Sequence, residues 1–332
     1  MEKKIDNNNL NGNRVAWIDI AKGIGIFFVT FGHLSPALPL ETHIYSFHMF
    51  FFFFLSGLCH DNCKTIGTIV KTRVTRLLIP FLFWNFLSNL IAYYFTRDLT
   101  DCIQCFFMIS GKICWDAPIW FLWVLFLTEI SFSVIIKLTR NKLQINLLFL
   151  LFFLVTGFLC ENLRITLFLG IVPVALFFFT LGNLSRQLSL QQYLKKTSML
   201  TILLIVSMAL NLIFGIYFNG RISVINCEYH NYVFCLIGGV SGIIIYVIIS
   251  VFLENIKLSA FLSLMGRNTL LLMCLQYYVF NFYNYLANYD IWHQRGTLTA
   301  LVLALITILL ILLISFLLRK TNNKQLKIMF GV

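Results

Sequence analysis

Lys22 and His33 stand eleven residues apart in the segment Arg14-Val-Ala-Trp-Ile-Asp19-Ile-Ala-Lys22-Gly23, which continues as an uncharged apolar run to Gly32-His33. On a helix, about 100° per residue returns position 33 to within ~20° of the face of position 22. The rise between them is roughly 16 Å. Asp19 lies three residues before Lys22, so the two can pair on that face. One stripe would then carry an ion pair at one end and an imidazole at the other. Neutral imidazole suits proton abstraction near pH 7, and a lysine held by a carboxylate can orient a substrate or stabilise developing charge. The alternative is an Asp–Lys pair that only anchors helices, with an interfacial histidine.

Further candidates follow along the chain. His48 opens a phenylalanine run that ends at Leu55-Ser56-Gly57. Lys71, Arg73 and Arg76 come just before Pro80. Arginine presents forked donors that match phosphate oxygens, so this cluster could clamp a phosphorylated ligand; the plainer reading is electrostatic anchoring. Trp120, Glu129, Arg267 and Asn268 are candidates for the substrate side. Arg267 could pair with either Glu129 or Asp19.

The elements that must hold these residues are set by composition. Of 332 residues, 59% are hydrophobic and 11% charged, with a mean hydropathy of +0.86. A soluble domain averages about 45–50% apolar and about 25% charged. A bilayer span takes about 20 apolar residues, so roughly ten spans account for the apolar fraction. That excludes a soluble enzyme, a disordered chain and a membrane barrel, whose strands alternate polar and apolar. The spans fall near residues 15–34, 44–60, 78–96, 118–136, 145–160, 166–184, 199–218, 233–253, 259–281 and 298–318, an all-α, polytopic membrane protein forming one domain over residues 1–332. Of the 25 lysines and arginines, 18 fall in the terminal segments and loops of one side, and five (Arg97, Lys112, Arg164, Arg221, Arg295) on the other; Lys22 and Arg267 lie within spans. The excess marks the cytoplasmic side and places both termini there. The net charge of +12 is therefore mostly topology, and no nucleic-acid partner is expected. Asp19, Lys22, His33, His48, Glu129 and Arg267 become intramembrane groups, each costing at least ~2.5–3.5 kcal/mol to insert, and so each requires a reason. The nine cysteines are scattered. Cys102-Ile-Gln-Cys105 lacks a second metal-binding pair, so small idle thiols are expected, with an exported disulfide among Cys102, Cys105 and Cys114 as the alternative. No metal site is expected.

Taken together, Lys22–His33, Phe47-His48 through Leu55-Ser56-Gly57, Arg73-Val-Thr-Arg76-Leu-Leu-Ile-Pro80, Trp120-Phe-Leu122 and Gly266-Arg-Asn-Thr-Leu270 resemble the membrane-bound acyltransferase family 3, in particular its fucose-4-O-acetylase-like members. The resemblance covers about residues 14–318. Two positions depart from it. Phe50 stands where the second-span motif has proline, and Gln276 where the late segment often reaches a histidine.

The resemblance implies transfer of an acyl group, acetyl by default, from cytoplasmic acyl-CoA to a hydroxyl of a cell-surface or lipid-linked carbohydrate, across a bacterial cytoplasmic membrane. The bias toward Asn, Lys and Ile in the loops points to a low-GC bacterium. Arg73, Arg76 and Lys71 would hold the CoA phosphates. His33 would be general base or transient acyl carrier, with Lys22 and Asp19 beside it. His48, Trp120, Glu129, Arg267 and Asn268 would face the acceptor. Two other readings remain: a transporter of glycans or lipid-linked sugars, and a non-catalytic partner of a glycan assembly complex.

Overall fold

The computed structural model describes residues 15–113, 115–188, 197–287 and 296–332. Lys3, Lys4, Arg14, Lys195, Lys196, Arg295 and Cys114, which entered the charge and cysteine readings, lie outside the described residues. Within them every long element is helical, and β structure is limited to one isolated bridge, Ser223–Glu228. Each of the ten apolar segments is a helix or a pair of helices. Helices α1 (Ala16–Gly32) and α2 (Leu38–Leu58) form an antiparallel hairpin whose turn holds Ser35 in a left-handed conformation. Helix α3 (Ile66–Thr96) is interrupted by a π-turn at Val74–Leu78. Then come α4 (Leu99–Phe106), α5 (Trp120–Leu138), α6 (Leu143–Leu159), α7 (Val172–Gln187), α8 (Ser198–Phe218) and α9 (Tyr232–Phe252). The chain closes with α10 (Leu258–Arg267), α11 (Thr269–Ala287), α12 (Thr297–Lys320) and the short α13 (Lys324–Phe330). Six of these helical stretches, those at Ile66–Thr96, Ala117–Leu138, Thr166–Gln187, Ser198–Phe218, Tyr232–Asn255 and Thr297–Lys320, are long and apolar enough to cross a membrane, and α10 with α11 makes a seventh if the bent pair is one span.

That pair is the main departure from the expected span at 259–281. The chain bends by 82° between α10 and α11. The break falls at Asn268, whose side chain is captured from α12: its Oδ1 accepts from Ser315 Oγ at 2.6 Å and from Arg319 Nη2 at 2.9 Å. A broken helix inside a membrane protein persists only where its freed backbone is buried in protein or lines a cavity. Both conditions are met, because Asn268 is 1% exposed and the break lines the central cavity.

Helix α1 is the axis of the bundle, in contact with α2, α9, α10, α11 and α12. Its closest crossing is with α10. A Cβ on Gly23 would overlap the carbonyl oxygen of Leu262, and one on Gly266 the carbonyl oxygen of Asp19. Small residues let membrane helices approach at backbone distance, and here that approach brings Arg267 beside Asp19. Gly266→Ala is expected to cost about 1–3 kcal/mol or more, since neither backbone can yield, read as a lower thermal midpoint in detergent. An unchanged midpoint would mean that the helices cross further apart.

The phenylalanine run of α2 is core, not lipid contact, at most of its positions: Phe47, Phe50, Phe51 and Phe53 are fully buried. Phe50 stacks on Phe178 of α7 at 4.3 Å between centroids and lies against Gly239. An aromatic thus fills the α2–α7–α9 junction where a proline stands in the family pattern. Cys105 is disulfide-bonded, and Cys59, Cys63, Cys102, Cys160, Cys227, Cys235 and Cys274 are free. Those seven are thus unbridged thiols, and the disulfide alternative holds at Cys105.

Candidate active site

One cavity of about 1620 Å³ runs along α1. Pockets for drug-sized ligands are typically ~300–1,000 Å³, so this one has room for something larger. At the Asp19–Lys22 end of α1 it is lined by Arg73, Arg76, Arg186, Arg267, Arg319, Lys324 and Lys327. At the far end it is lined by His33, Tyr45, His48, Tyr277 and Arg221. Trp120 and Glu129 of α5 and Asn268 form part of its wall. All the candidate residues from the sequence therefore meet in one space except Lys71, which is exposed and lies off the lining.

The pairing inside that space differs from the expectation. Asp19 does not hold Lys22. Its carboxylate receives Arg267 Nε at 3.3 Å, because the α1–α10 crossing delivers Arg267 to it across the bundle. Lys22 forms no ion pair among the described residues, and its charge faces the cavity and Glu129. Glu129 is 3% exposed and ion-paired with Arg73. Its carboxylate is thus held by an arginine while it lines the cavity. The π-turn at Val74–Leu78 adds a residue to the turn between Arg73 and Arg76. Such bulges recur at functional sites. Here Arg73 reaches inward to Glu129 while Arg76 stays exposed on the rim. Asn268 is likewise engaged, by Ser315 and Arg319, which ties the break between α10 and α11 to α12. Helix α13 docks through Trp84 Nε1, which donates to the Met329 carbonyl at 3.1 Å. That contact brings Lys324 and Lys327 to the same rim, signals too dispersed for a sequence reading to collect.

The histidines separate by what their nitrogens do. His43 has both engaged, with Asn211 Oδ1 at 2.6 Å and Tyr246 Oη at 2.7 Å, and is a packed structural residue. His48 Nδ1 donates to the Ile44 carbonyl at 2.8 Å. His33 caps the C-terminal end of α1 and has Nδ1 3.1 Å from Tyr277 Oη and 3.5 Å from Tyr45 Oη. In His33 and His48 alike, Nε2 has no partner among the described residues. Arg221 reaches this end from the 219–231 loop, its guanidinium 4.1 Å above the Tyr45 ring and its Nε 2.9 Å from Glu41 Oε1. Trp120 packs on Phe121 and Phe168 and is 5% exposed. Gln276 is fully buried and off the lining, whereas its neighbour Tyr277 lines the cavity. Sequence reasoning missed Tyr45, Tyr277 and Arg221; only its place three residues before His48 on α2 could have drawn attention to Tyr45.

Asp116, in the turn before α5, is fully buried, and among the described residues neither carboxylate oxygen has a hydrogen-bond partner. Its backbone N–H donates to Ser88 Oγ at 3.1 Å. Burial pushes its carboxyl well above the ordinary range, because the charged form loses its water. For an acid whose folded value is raised, the stability contribution is full below the unfolded value and is lost as pH rises toward the folded one. Asp116→Asn mimics the protonated form. It is expected to match wild type in thermal midpoint at acid pH and to exceed it at neutral pH. A difference that does not vary with pH would show the carboxyl to be ordinarily solvated.

Among the described residues, no group of three or more His, Cys, Asp or Glu side chains could hold a metal ion. Against known proteins, an acyltransferase-domain family profile matches residues 15–320. The nodulation protein NolL of Mesorhizobium japonicum is 31% identical over 150 residues, which is 40% of this chain and 38% of that protein. The chain thus matches well under half the length of that relative. No solved structure matches.

Proposed function

Since the chain belongs to the acyltransferase family 3, whose profile matches it across residues 15–320, we propose that it moves an acyl group, acetyl by default, from cytoplasmic acyl-CoA to a hydroxyl of a cell-surface or lipid-linked carbohydrate. The observation that carries this reading is the single cavity joining a strongly cationic end to the His33 end. On this reading the chain crosses a bacterial membrane about ten times, and the one-sided excess of lysine and arginine supports a cytoplasmic position for the cationic end. Arg76, Arg319, Lys324 and Lys327 converge there with the first turn of α11, and helix N-termini favour phosphate. A CoA nucleotide fits that chemistry, with its pantetheine arm directed along α1 toward His33, roughly 16 Å from Lys22.

The chemistry is then an acyl transfer in which His33 Nε2 takes the proton of the acceptor hydroxyl. The oxygen attacks the thioester carbonyl carbon, the carbon–sulfur bond breaks, and the thiolate leaves with the proton returned from Nε2. Lys22, without an ion pair among the described residues, offers positive charge along the path of the donor. His48 and Trp120 flank the acceptor. Glu129 and Asp19 act through the arginines they hold.

The test uses purified full-length protein in liposomes with acetyl-CoA and a panel of glycans. Acceptor-dependent release of free CoA, with the acyl group recovered on the glycan, is the expected result. Flux of unmodified glycan without acyl-CoA consumption would instead make the protein a transporter, and neither binding nor consumption of any acyl-CoA would overturn the reading.

A further inference from the structure

The strongest signal outside the residues already assigned is the phenol that touches His33. Tyr277 comes from α11, beyond the 82° break and 244 residues from His33 in the chain, and its Oη stands 3.1 Å from His33 Nδ1. The two rings meet edge to face at 5.1 Å. Tyr45 also approaches Nδ1, but at 3.5 Å, the outer limit of a hydrogen bond, and its ring already carries the Arg221 guanidinium. His33 Nε2 is the nitrogen left to the cavity. A histidine base needs its proton on the other nitrogen and a third group to hold it there.

We propose that Tyr277 is a positioning residue for His33: its phenol oxygen accepts the Nδ1–H, which keeps Nε2 unprotonated and aimed at the substrate. This deepens the acyl-transfer reading above and rests on it for its catalytic meaning. When Nε2 takes the acceptor proton, the Nδ1–H stays on nitrogen and remains donated to the phenol, whose lone pair stabilises the imidazolium. The phenol keeps its own proton throughout, and Nε2 then returns its proton to the departing thiolate. The arrangement has a neutral hydroxyl where other histidine bases have a carboxylate. It also accounts for the late segment, in which Gln276 is buried off the cavity and the next residue supplies the contact. The titratable and charged groups facing this pair are His48 and Tyr45 from α2, Arg221 from the 219–231 loop, and Asp116 from the turn before α5.

The experiment compares wild type, Tyr277→Phe and Tyr278→Phe as full-length protein in detergent, with Tyr277→Met as a second hydroxyl-free side chain should the first variant fail to fold. Tyr278 is adjacent, and its hydroxyl has no partner among the described residues. Two readouts are taken. In acyl transfer, Tyr277→Phe is expected to lower kcat about 10-fold to 100-fold, leave KM for acyl-CoA within about twofold, and shift the pH–rate profile. Tyr278→Phe is expected to change none of these. Independently of activity, carbethoxylation of His33 by diethyl pyrocarbonate is followed by peptide mass spectrometry across pH. Its pH profile is expected to move in the hydroxyl-free variants alone. Wild-type kcat and an unmoved modification profile in Tyr277→Phe would overturn the proposal, as would a lower thermal midpoint with neither profile shifted, which is the mark of a packing role. A moved modification profile in a protein that consumes no acyl-CoA would uphold the contact and sink the acyl-transfer reading instead.

Discussion

Replacing His33 by alanine is expected to lower acyl transfer by about 10²–10⁴-fold, the usual contribution of a positioned general base, while the protein stays folded. That loss corresponds to about 3–5 kcal/mol of barrier. The expectation is specific to His33 because of its nitrogens. Nε2 has no partner among the described residues, Nδ1 lies 3.1 Å from Tyr277 Oη, and His33 lines the cavity where its backbone N–H closes the end of α1. His48 lies on the same cavity, but its Nδ1 is spent on a carbonyl of its own helix, so His48→Ala should cost markedly less. Full activity in His33→Ala would transfer the assignment to His48. The measurement also separates base from carrier. Wild type incubated with acetyl-CoA alone and quenched in acid should show no acyl group on the His33 peptide if the imidazole is a base, and an adduct if it carries the acyl group.

The second large effect is on stability. Arg73→Ala leaves the Glu129 carboxylate, 3% exposed, without its partner. Removing one member of a buried ion pair typically costs about 3–5 kcal/mol, whereas replacing both by apolar groups of similar volume can be nearly neutral. Arg73→Ala is therefore expected to lower the thermal midpoint sharply, and Arg73→Met combined with Glu129→Leu to recover most of it. The double variant should fold yet remain impaired in acyl-CoA use, because the pair also sets where the α3 π-turn places Arg76. Equal midpoints for Arg73→Ala and wild type would mean that Lys22, the next cation facing Glu129, takes over the pairing. Adding Lys22→Met to Arg73→Ala would then expose the loss.

The helical segments were legible because periodicity is not needed to recognise them. A run of about 20 apolar residues can satisfy its backbone in a membrane only as helix, and all ten such runs are helical here. The candidate chemistry was legible for a related reason. Ionisable side chains are costly in an apolar environment, so Asp19, Lys22, His33, His48, Glu129 and Arg267 stood out one by one, and the structure gathers them around one cavity. Local spacing did not decide pairing. Asp19 and Lys22 share a helical face, yet the carboxylate reaches Arg267, 248 residues away, because two glycines let α1 and α10 cross at backbone distance. Nor did apolarity reveal the break at Asn268, since the residues on both sides of it are as apolar as an unbroken span.

By itself, then, the sequence determined an all-helical architecture, an uneven distribution of lysine and arginine, and the small set of polar groups that an apolar bundle does not retain without reason. Tertiary structure decided who pairs with whom. Asp19 goes to Arg267, Glu129 to Arg73, Asn268 to Arg319, and His33 to Tyr277, none of them within one helix. The physical reason is range. Backbone hydrogen bonding and hydrophobicity act along the chain and can be read there, whereas an ion pair or a hydrogen bond across the bundle depends on which helix surfaces approach closely enough, a property of the packed whole.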